Sequence, residues 1–305
     1  PFDIWYDGFK VRGSIPEDQL NQTVRKLYPT LEAFGKKLPD ILQKLGFSAD
    51  TARFLSERIR VDPARGAGHA MGAAMRTDAA HLRTRVPEGG MDYKGYIIAM
   101  HELGHTVEQT FSLYRVDRVL MNGVPNTAFT EAMAFLFQER DLDLLALGTH
   151  DATRKAMAAV DAFWMTREIA GVSLLDMQVW RWMYANPNAT PEQLREAVVR
   201  MATDLWNRYY APVMGSAESP IKDSPILAIY SHMIAYGLYL PDYTIGHLIQ
   251  AQLERAVEGK NLGTEMERWC VQGRLSPDIW MKNAVGAPLS AEPLLQAARE
   301  GVAKL

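Results

Sequence analysis

Apolar positions recur every three to four residues along most of this chain, the spacing of helices that bury one face. In PEDQLNQTVRKLYPTLEAFGKKL, residues 16–38, Leu20, Val24, Leu27, Leu31 and Phe34 form one stripe behind Pro16, which suits a first helical turn. SADTARFLSERIR, residues 48–60, predicts a second helix capped by Ser48. Helical patterns resume over residues 92–113 and 127–147. They continue over 151–169, 173–184, 191–210, 225–237, 243–258, 263–272, 276–283 and 291–303. The texture differs in VDPARGAGHAMGAAMRTDAAHLRTRVPEGG, residues 61–90, where Gly and Ala dominate and turn signals stand at Pro63 and Gly89-Gly90. Two short strands are predicted there, His69–Met75 and His81–Val86. The pattern as a whole predicts a mainly α protein with a small sheet beside the 92–113 helix.

Composition narrows the function classes. The chain has 305 residues, enough for one large core or two packed lobes, and is 48% hydrophobic and 23% charged. A net charge of -3 points to neither nucleic acid nor an anionic membrane surface as partner. No apolar run is long enough for a membrane span, and no signal peptide is evident. The single Cys270 excludes a disulfide framework and a Cys-rich metal site, and is expected to be a buried small side chain. It fits a reducing compartment, and so favours the cytoplasm, although exported enzymes without disulfides are common. Pro1 opens the chain with no Met, as in a piece of a longer protein. Asn21-Gln22-Thr23 and Asn188-Ala189-Thr190 match the glycosylation sequon but read as ordinary helix-surface and helix-start residues.

The chemistry concentrates in YIIAMHELGHTVEQTF, residues 96–111. His101 and His105 are four apart and share a helix face, so two imidazoles can hold one zinc ion. Glu102 lies about 100° further round the helix, beside the metal without ligating it, where it can take a proton from an attacking water. A hydrolytic zinc needs three protein ligands and an open fourth position. The subclass with a third His on the same stretch is excluded, because its positions hold Glu108 and Phe111. Glu131, in NTAFTEAMAF, is the expected third ligand: a lone carboxylate in so apolar a helix is costly without a partner. Glu108 is the rival. It shares the face of the two His but would hold the ion from one side only.

HELGH followed by Glu in FTEAMAF, about thirty residues after the first His, resembles the gluzincin oligopeptidases. Oligoendopeptidase F and thimet oligopeptidase are the nearest group, with angiotensin-converting enzyme and carboxypeptidase Taq as cousins. ARGAGHAMGAAM resembles the family's substrate-side edge strand, and IYSHMIAYGLYLPDYTIGHLIQAQL its C-terminal His and Tyr segment. The tail WCVQGRLSPDIWMKNAVGAPLSAEPLLQAARE resembles its closing helices. The resemblance covers roughly residues 60–305, while the family's large N-terminal helical portion is mostly missing. It implies one helical zincin-type domain over residues 1–305, with a small antiparallel sheet and a deep cleft. Its parts would be N-terminal helices at 1–60, the sheet and metal helices at 61–145, and a helical lobe at 146–305. It also implies one Zn2+ and short peptide substrates, and leaves room for a separate N-terminal lobe or an oligomer partner. Tyr239 and Tyr243, and less firmly His232, align with the residues that steady the oxyanion, and Tyr236 competes with them; at helical spacing these tyrosines also read as core. Pro241 between them suggests a loop or a kinked helix. Gly68, His69 and Ala70 would lie along the substrate, whose backbone could add to the strand edge; a tightly packed internal strand is the alternative. Two other functions stay open: a zinc-containing relative that binds peptides without cleaving them, and a hydrolase of a non-peptide amide.

Overall fold

A computed structural model describes residues 15–66, 68–148, 152–214 and 220–305. Pro1 and Asp151, both noted above, lie outside them. The chain divides into two compact units, Pro1–Asp161 with Gly246–Leu305, and Ala162–Ile245.

The first unit opens with α1 (Glu17–Leu27), α2 (Leu31–Lys44) and α3 (Ala49–Ser56). The stripe expected from residue 16 onward is broken at Tyr28-Pro29-Thr30, where Thr30 caps α2 by accepting the Ala33 N–H. Leu20, Val24 and Phe34 are buried, but Leu27, at the end of α1, is exposed. Three strands follow, β1 (Ile59–Pro63), β2 (His69–Met71) and β3 (Ala80–Thr84), in the order β1-β3-β2. The sheet is mixed, not antiparallel throughout. β2 pairs antiparallel with β3, His69 opposite Arg83, while β1 runs parallel to β3, Ile59 opposite Ala80. β1 was not expected: residues 59–60 read as the tail of a helix and 61–63 as the start of the turn-rich stretch, because Ile59 is the one deeply buried side chain and leaves little apolar alternation to read. β3 alternates cleanly, with Ala80, Leu82 and Thr84 buried.

The buried face of β3 packs on α4 (Tyr93–Arg115), the 23-residue helix that carries the HELGH motif. Asp92 starts it by accepting the Gly95 N–H at 2.7 Å, and the Thr84 hydroxyl donates to the Gly95 carbonyl at 2.6 Å. Buried residues surround α4 on nearly every side, which explains its weak amphipathic signature. α5 (Thr127–Gln138), capped by Asn126, lies against it. Gly104 permits the approach: a Cβ there would stand 2.6 Å from the Ala134 Cα and 2.7 Å from the Met133 carbonyl oxygen. The expected 127–147 helix is interrupted after Gln138 and resumes as the short α6 (Asp141–Leu144). The Asp141 carboxylate accepts the Tyr93 hydroxyl at 2.5 Å and so ties α6 to the start of α4.

α7 (Ala152–Ala185) is one 34-residue helix where two were expected. It runs unbroken through Gly171 because the Tyr210 hydroxyl accepts the Gly171 N–H and occupies the space of a side chain there. In the second unit, α8 (Pro191–Tyr209) begins with the expected turn, now a full capping box between Thr190 and Gln193. Residues 225–237 yield only α9 (His232–Ala235), and Leu238 takes a positive φ of 63°. α10 (Leu240–Val257) starts with Pro241 in its first turn, so the proline opens the helix and does not kink it. The first unit closes with α11 (Leu262–Cys270), α12 (Pro277–Val285) and α13 (Glu292–Val302). Cys270 is buried, and the Asn21 side chain accepts the Tyr93 N–H. Among the described residues no helix is long and apolar enough to cross a membrane.

Candidate metal centre

α4 and α5 bring His101, His105 and Glu131 together. One ligand atom from each lies within 4.8 Å of the others. The Glu131 Oε2 stands 3.3 Å from His101 Nε2 and 3.7 Å from His105 Nε2. Ligands bound tetrahedrally to zinc at 2.0–2.2 Å stand about 3.3–3.6 Å from one another, so these separations suit one ion with little movement. His105 and Glu131 are buried and His101 nearly so. The Nδ1 of each imidazole is engaged away from the shared space: His101 Nδ1 meets Gln138 Oε1 at 3.0 Å, and His105 Nδ1 meets Thr130 Oγ1 at 2.9 Å. In the neutral tautomers that carry the hydrogen on Nδ1, both Nε2 lone pairs face the shared space, the chemistry a divalent zinc site asks for. The donor set therefore fits the ion that the motif implies.

The electrostatics match. Burial lowers His105 to about 4, which keeps it neutral and a ligand. Burial acts the same way on His101, but its hydrogen bond and charge attraction to Glu131 outweigh it and raise that ring. Burial pushes the Glu102 carboxyl up to about 7, against the pull of His101 and with the push of Glu131. The Ala70 backbone N–H also points at Glu102 and favours its ionised form. Glu102 thus sits between the imidazoles and β2, with a proton affinity near neutrality, where a general base works best.

Glu108, the rival ligand, is turned elsewhere. It is buried and accepts the Ser112 hydroxyl and the Thr130 hydroxyl, both at 2.9 Å. β2 is an edge strand of its sheet, and His69 on it is exposed, with its Nε2 3.2 Å from the Arg83 guanidinium. Gly68 is small for a packing reason: a Cβ would meet the Ile98 side chain at 2.2 Å and the Arg83 carbonyl oxygen at 2.3 Å. Ala70 faces Glu102. In the second unit His232, Tyr236, Tyr239 and Tyr243 form one aromatic cluster. The His232 ring lies 5.7 Å from that of Tyr239 and 5.9 Å from that of Tyr243, and the two tyrosine rings are 5.2 Å apart. Tyr236 stands 6.1 Å from His232 and is exposed.

Sequence reasoning passed over three residues beside the metal centre. Thr130 and Gln138 orient the imidazoles, and nothing in their spacing marks them. His247 stacks on Phe135 with ring centroids 4.1 Å apart, and burial lowers its imidazole to about 4. Phe135 in turn lies 5.3 Å from the His101 ring. His247 follows Gly246, where a Cβ would come within 3.1 Å of the Glu131 Cβ.

No protein-family model matches the sequence, and no curated protein does. Solved structures do match. PZ peptidase A, in a structure with an inhibitor, superposes with a TM-score of 0.63 at 14% identity, over 88% of this chain and 48% of its own. A carboxypeptidase from Pyrococcus furiosus gives 0.56 at 18% identity, over 98% of this chain and 62% of its own. Metallocarboxypeptidase 1 of Trypanosoma cruzi gives 0.53 at 13%, over 98% and 75%. The chain shares their fold. It spans about half the length of the PZ peptidase, so it matches a part of that protein and not the whole.

Proposed function

We propose that this chain is a zinc-dependent metallopeptidase of the gluzincin type that hydrolyses short peptides. The observation that carries the reading is the convergence of His101, His105 and Glu131 on one point, with Glu102 beside them against the edge strand. A zinc ion held there would supply a strong positive charge next to the scissile carbonyl and a water of lowered pKa. Glu102 takes the proton of the attacking water and delivers it to the leaving amine. The free edge of β2, around His69 and Ala70, offers main-chain groups to an extended peptide. Tyr239 and Tyr243, with His232, carry the hydroxyl and ring N–H groups that suit an oxyanion, and their part rests on the resemblance in that segment. The peptidases of this fold named above support the reading, and the two carboxypeptidases make removal of a C-terminal residue a cleavage mode to assay beside internal cleavage.

The test is a paired one. Wild type and Glu102→Gln are loaded with zinc, quantified for bound metal, and assayed on a library of short peptides with free and blocked C-termini. One zinc per chain in both proteins, with cleavage by wild type alone, is the expected result. Zinc in both and cleavage by neither would leave a peptide-binding relative. Cleavage retained by Glu102→Gln would overturn the assigned base.

A further inference from the structure

We propose that Glu108 and Thr130 form a positioning relay that fixes the His105 tautomer and so presents its Nε2 to the metal. The inference rests on the reading of His101, His105 and Glu131 as metal ligands, and concerns residues to which that reading gives no role.

The Thr130 hydroxyl has one proton and two neighbours within 2.9 Å, the Glu108 Oε2 and the His105 Nδ1. A carboxylate oxygen can only accept, so the hydroxyl proton goes to Glu108. The Thr130 oxygen is then an acceptor toward His105, and the ring must supply the hydrogen from Nδ1. That leaves the Nε2 lone pair facing Glu131 Oε2 at 3.7 Å, where a metal would lie. The direction of the chain is set at its far end. Burial raises the Glu108 carboxyl, against the Ser112 hydroxyl, which donates to its other oxygen at 2.9 Å, the Thr130 hydroxyl and the Arg274 charge. A proton on Oε1, shared with Ser112, would still leave Oε2 an acceptor for Thr130. His101 is held differently, by the neutral Gln138 amide, so the two imidazoles differ in the basicity lent to them.

Helical geometry explains the placement. Glu108 is three residues after His105 on α4, and Ser112 four after Glu108, so the three share a face. Thr130 precedes Glu131 on α5, so one turn of α5 contributes both a ligand and the group that orients another ligand. Glu108 is buried; a carboxylate so placed is costly unless its hydrogen bonds are used.

The test uses the full chain with 15N-labelled histidine. In metal-free wild type, long-range 1H–15N couplings should show His105 protonated at Nδ1, the signal being assigned with His105→Gln. Thr130→Val leaves the Thr130 carbonyl as an acceptor for the ring, so it should raise the share of the Nε2–H tautomer and weaken zinc binding, measured by chelator competition, by about 10-fold. Thr130→Ser should restore both. Glu108→Gln, the second variant in case Thr130→Val does not fold, removes the carboxylate charge while keeping its shape and should weaken zinc binding at least about threefold. Thermal unfolding of each metal-free protein separates this from loss of structure. A Thr130→Val protein with Nδ1–H and wild-type zinc affinity overturns the relay, as does wild-type zinc affinity in Glu108→Gln. A wild type that takes up no zinc, yet shows the tautomer change in Thr130→Val, overturns the metallopeptidase reading and supports the relay's hold on the ring.

Discussion

Gly104→Ala tests whether the closeness of α4 and α5 makes the metal centre. On an isolated helix the change should stabilise by about 1 kcal/mol, because alanine loses less backbone entropy than glycine. Here the added methyl would stand 2.6 Å from the Ala134 Cα, 2.7 Å from the Met133 oxygen and 3.0 Å from the Ala134 nitrogen. All three are backbone atoms, which cannot rotate aside. Ordinary carbon contacts are about 3.5–4.0 Å, so relief needs roughly 1 Å of separation between the helices at this point. Glu131 lies one turn before Ala134, and His105 follows Gly104. Two ligands at 2.0–2.2 Å from one zinc can be no more than about 4.4 Å apart. The separations of 3.3 and 3.7 Å would widen by roughly 1 Å to the edge of that limit or past it. Zinc affinity should fall about 100-fold or more, beyond what loss of an orienting group usually costs. Overpacking of about 1–3 kcal/mol should also cancel or exceed the helical gain. Chelator competition measures the first quantity, and urea unfolding of the metal-free protein the second. Gly246→Ala is the control. Its nearest neighbours are 3.1 Å away, so a shift of a few tenths of an ångström suffices, and its effect on zinc should be several times smaller. A Gly104→Ala protein that holds zinc like wild type and unfolds at higher urea would refute this account of the site.

Three other predictions concern separate parts of the molecule. In metal-free protein, Glu102 is raised from 4.5 to about 7, so it contributes stability that is full below pH 4.5 and is lost as pH rises to about 7, on the order of 3 kcal/mol. His105, lowered from 6.5 to about 4, acts oppositely: its contribution is full above pH 6.5 and is lost as pH falls to about 4. The two slopes oppose each other and nearly cancel between pH 4.5 and 6.5, so Glu102→Gln should unmask a rise in the urea midpoint from pH 4 to 6.5 that wild type lacks; a wild-type profile in that variant refutes the assignment. Asp92→Ala removes the cap of α4 and the ion pair with Arg85, and should cost about 1–2 kcal/mol in chemical unfolding, whereas a loss under about 0.3 would show that the helix start is held by Thr84 and packing alone. Tyr239→Phe and Tyr243→Phe, assayed on the cleaved peptides, should leave zinc content unchanged, and at least one should lower kcat by about 100-fold or more; full activity in both would remove the tyrosines from the reaction.

The meeting of the candidate metal ligands was the most legible part of the chain because its signals are local. His101 and His105 meet through helical spacing alone, and Glu131 stood out as a carboxylate among Phe129, Ala132, Met133 and Phe135. The orienting groups were illegible for the opposite reason. Thr130, Gln138 and His247 acquire meaning only from what packs against them, and none lies at a telling interval from the motif. Glu108 was read as a rival ligand because it shares a helix face with His105, but spacing cannot show that Ser112 and Thr130 already occupy its oxygens. The fold divides the same way. β3 was visible through its alternation and β1 was not, since Arg60 and Asp62 look like helix surface. The gap expected between residues 169 and 173 is continuous helix in α7, and the tyrosine hydroxyl that fills the space at Gly171 comes from Tyr210, about forty residues away. Residues 225–237 carry an apolar periodicity, yet only His232–Ala235 are helical, and Ile234 and Tyr236 in that stretch are exposed.

The α4–α5 pair also orders events in time. Its three donors span only His101 to Glu131, and the linker between Arg115 and Thr127 is short, so little loop-closure entropy opposes their meeting. The rest of the same compact unit, Gly246–Leu305, is synthesised more than a hundred residues later. The nascent chain therefore presents every donor of the candidate metal centre before the last four helices described in this chain are made. Zinc captured at that stage would staple the hairpin and hand the later helices a finished surface to pack on, so metal supply during translation, as well as afterwards, would govern the yield of folded protein.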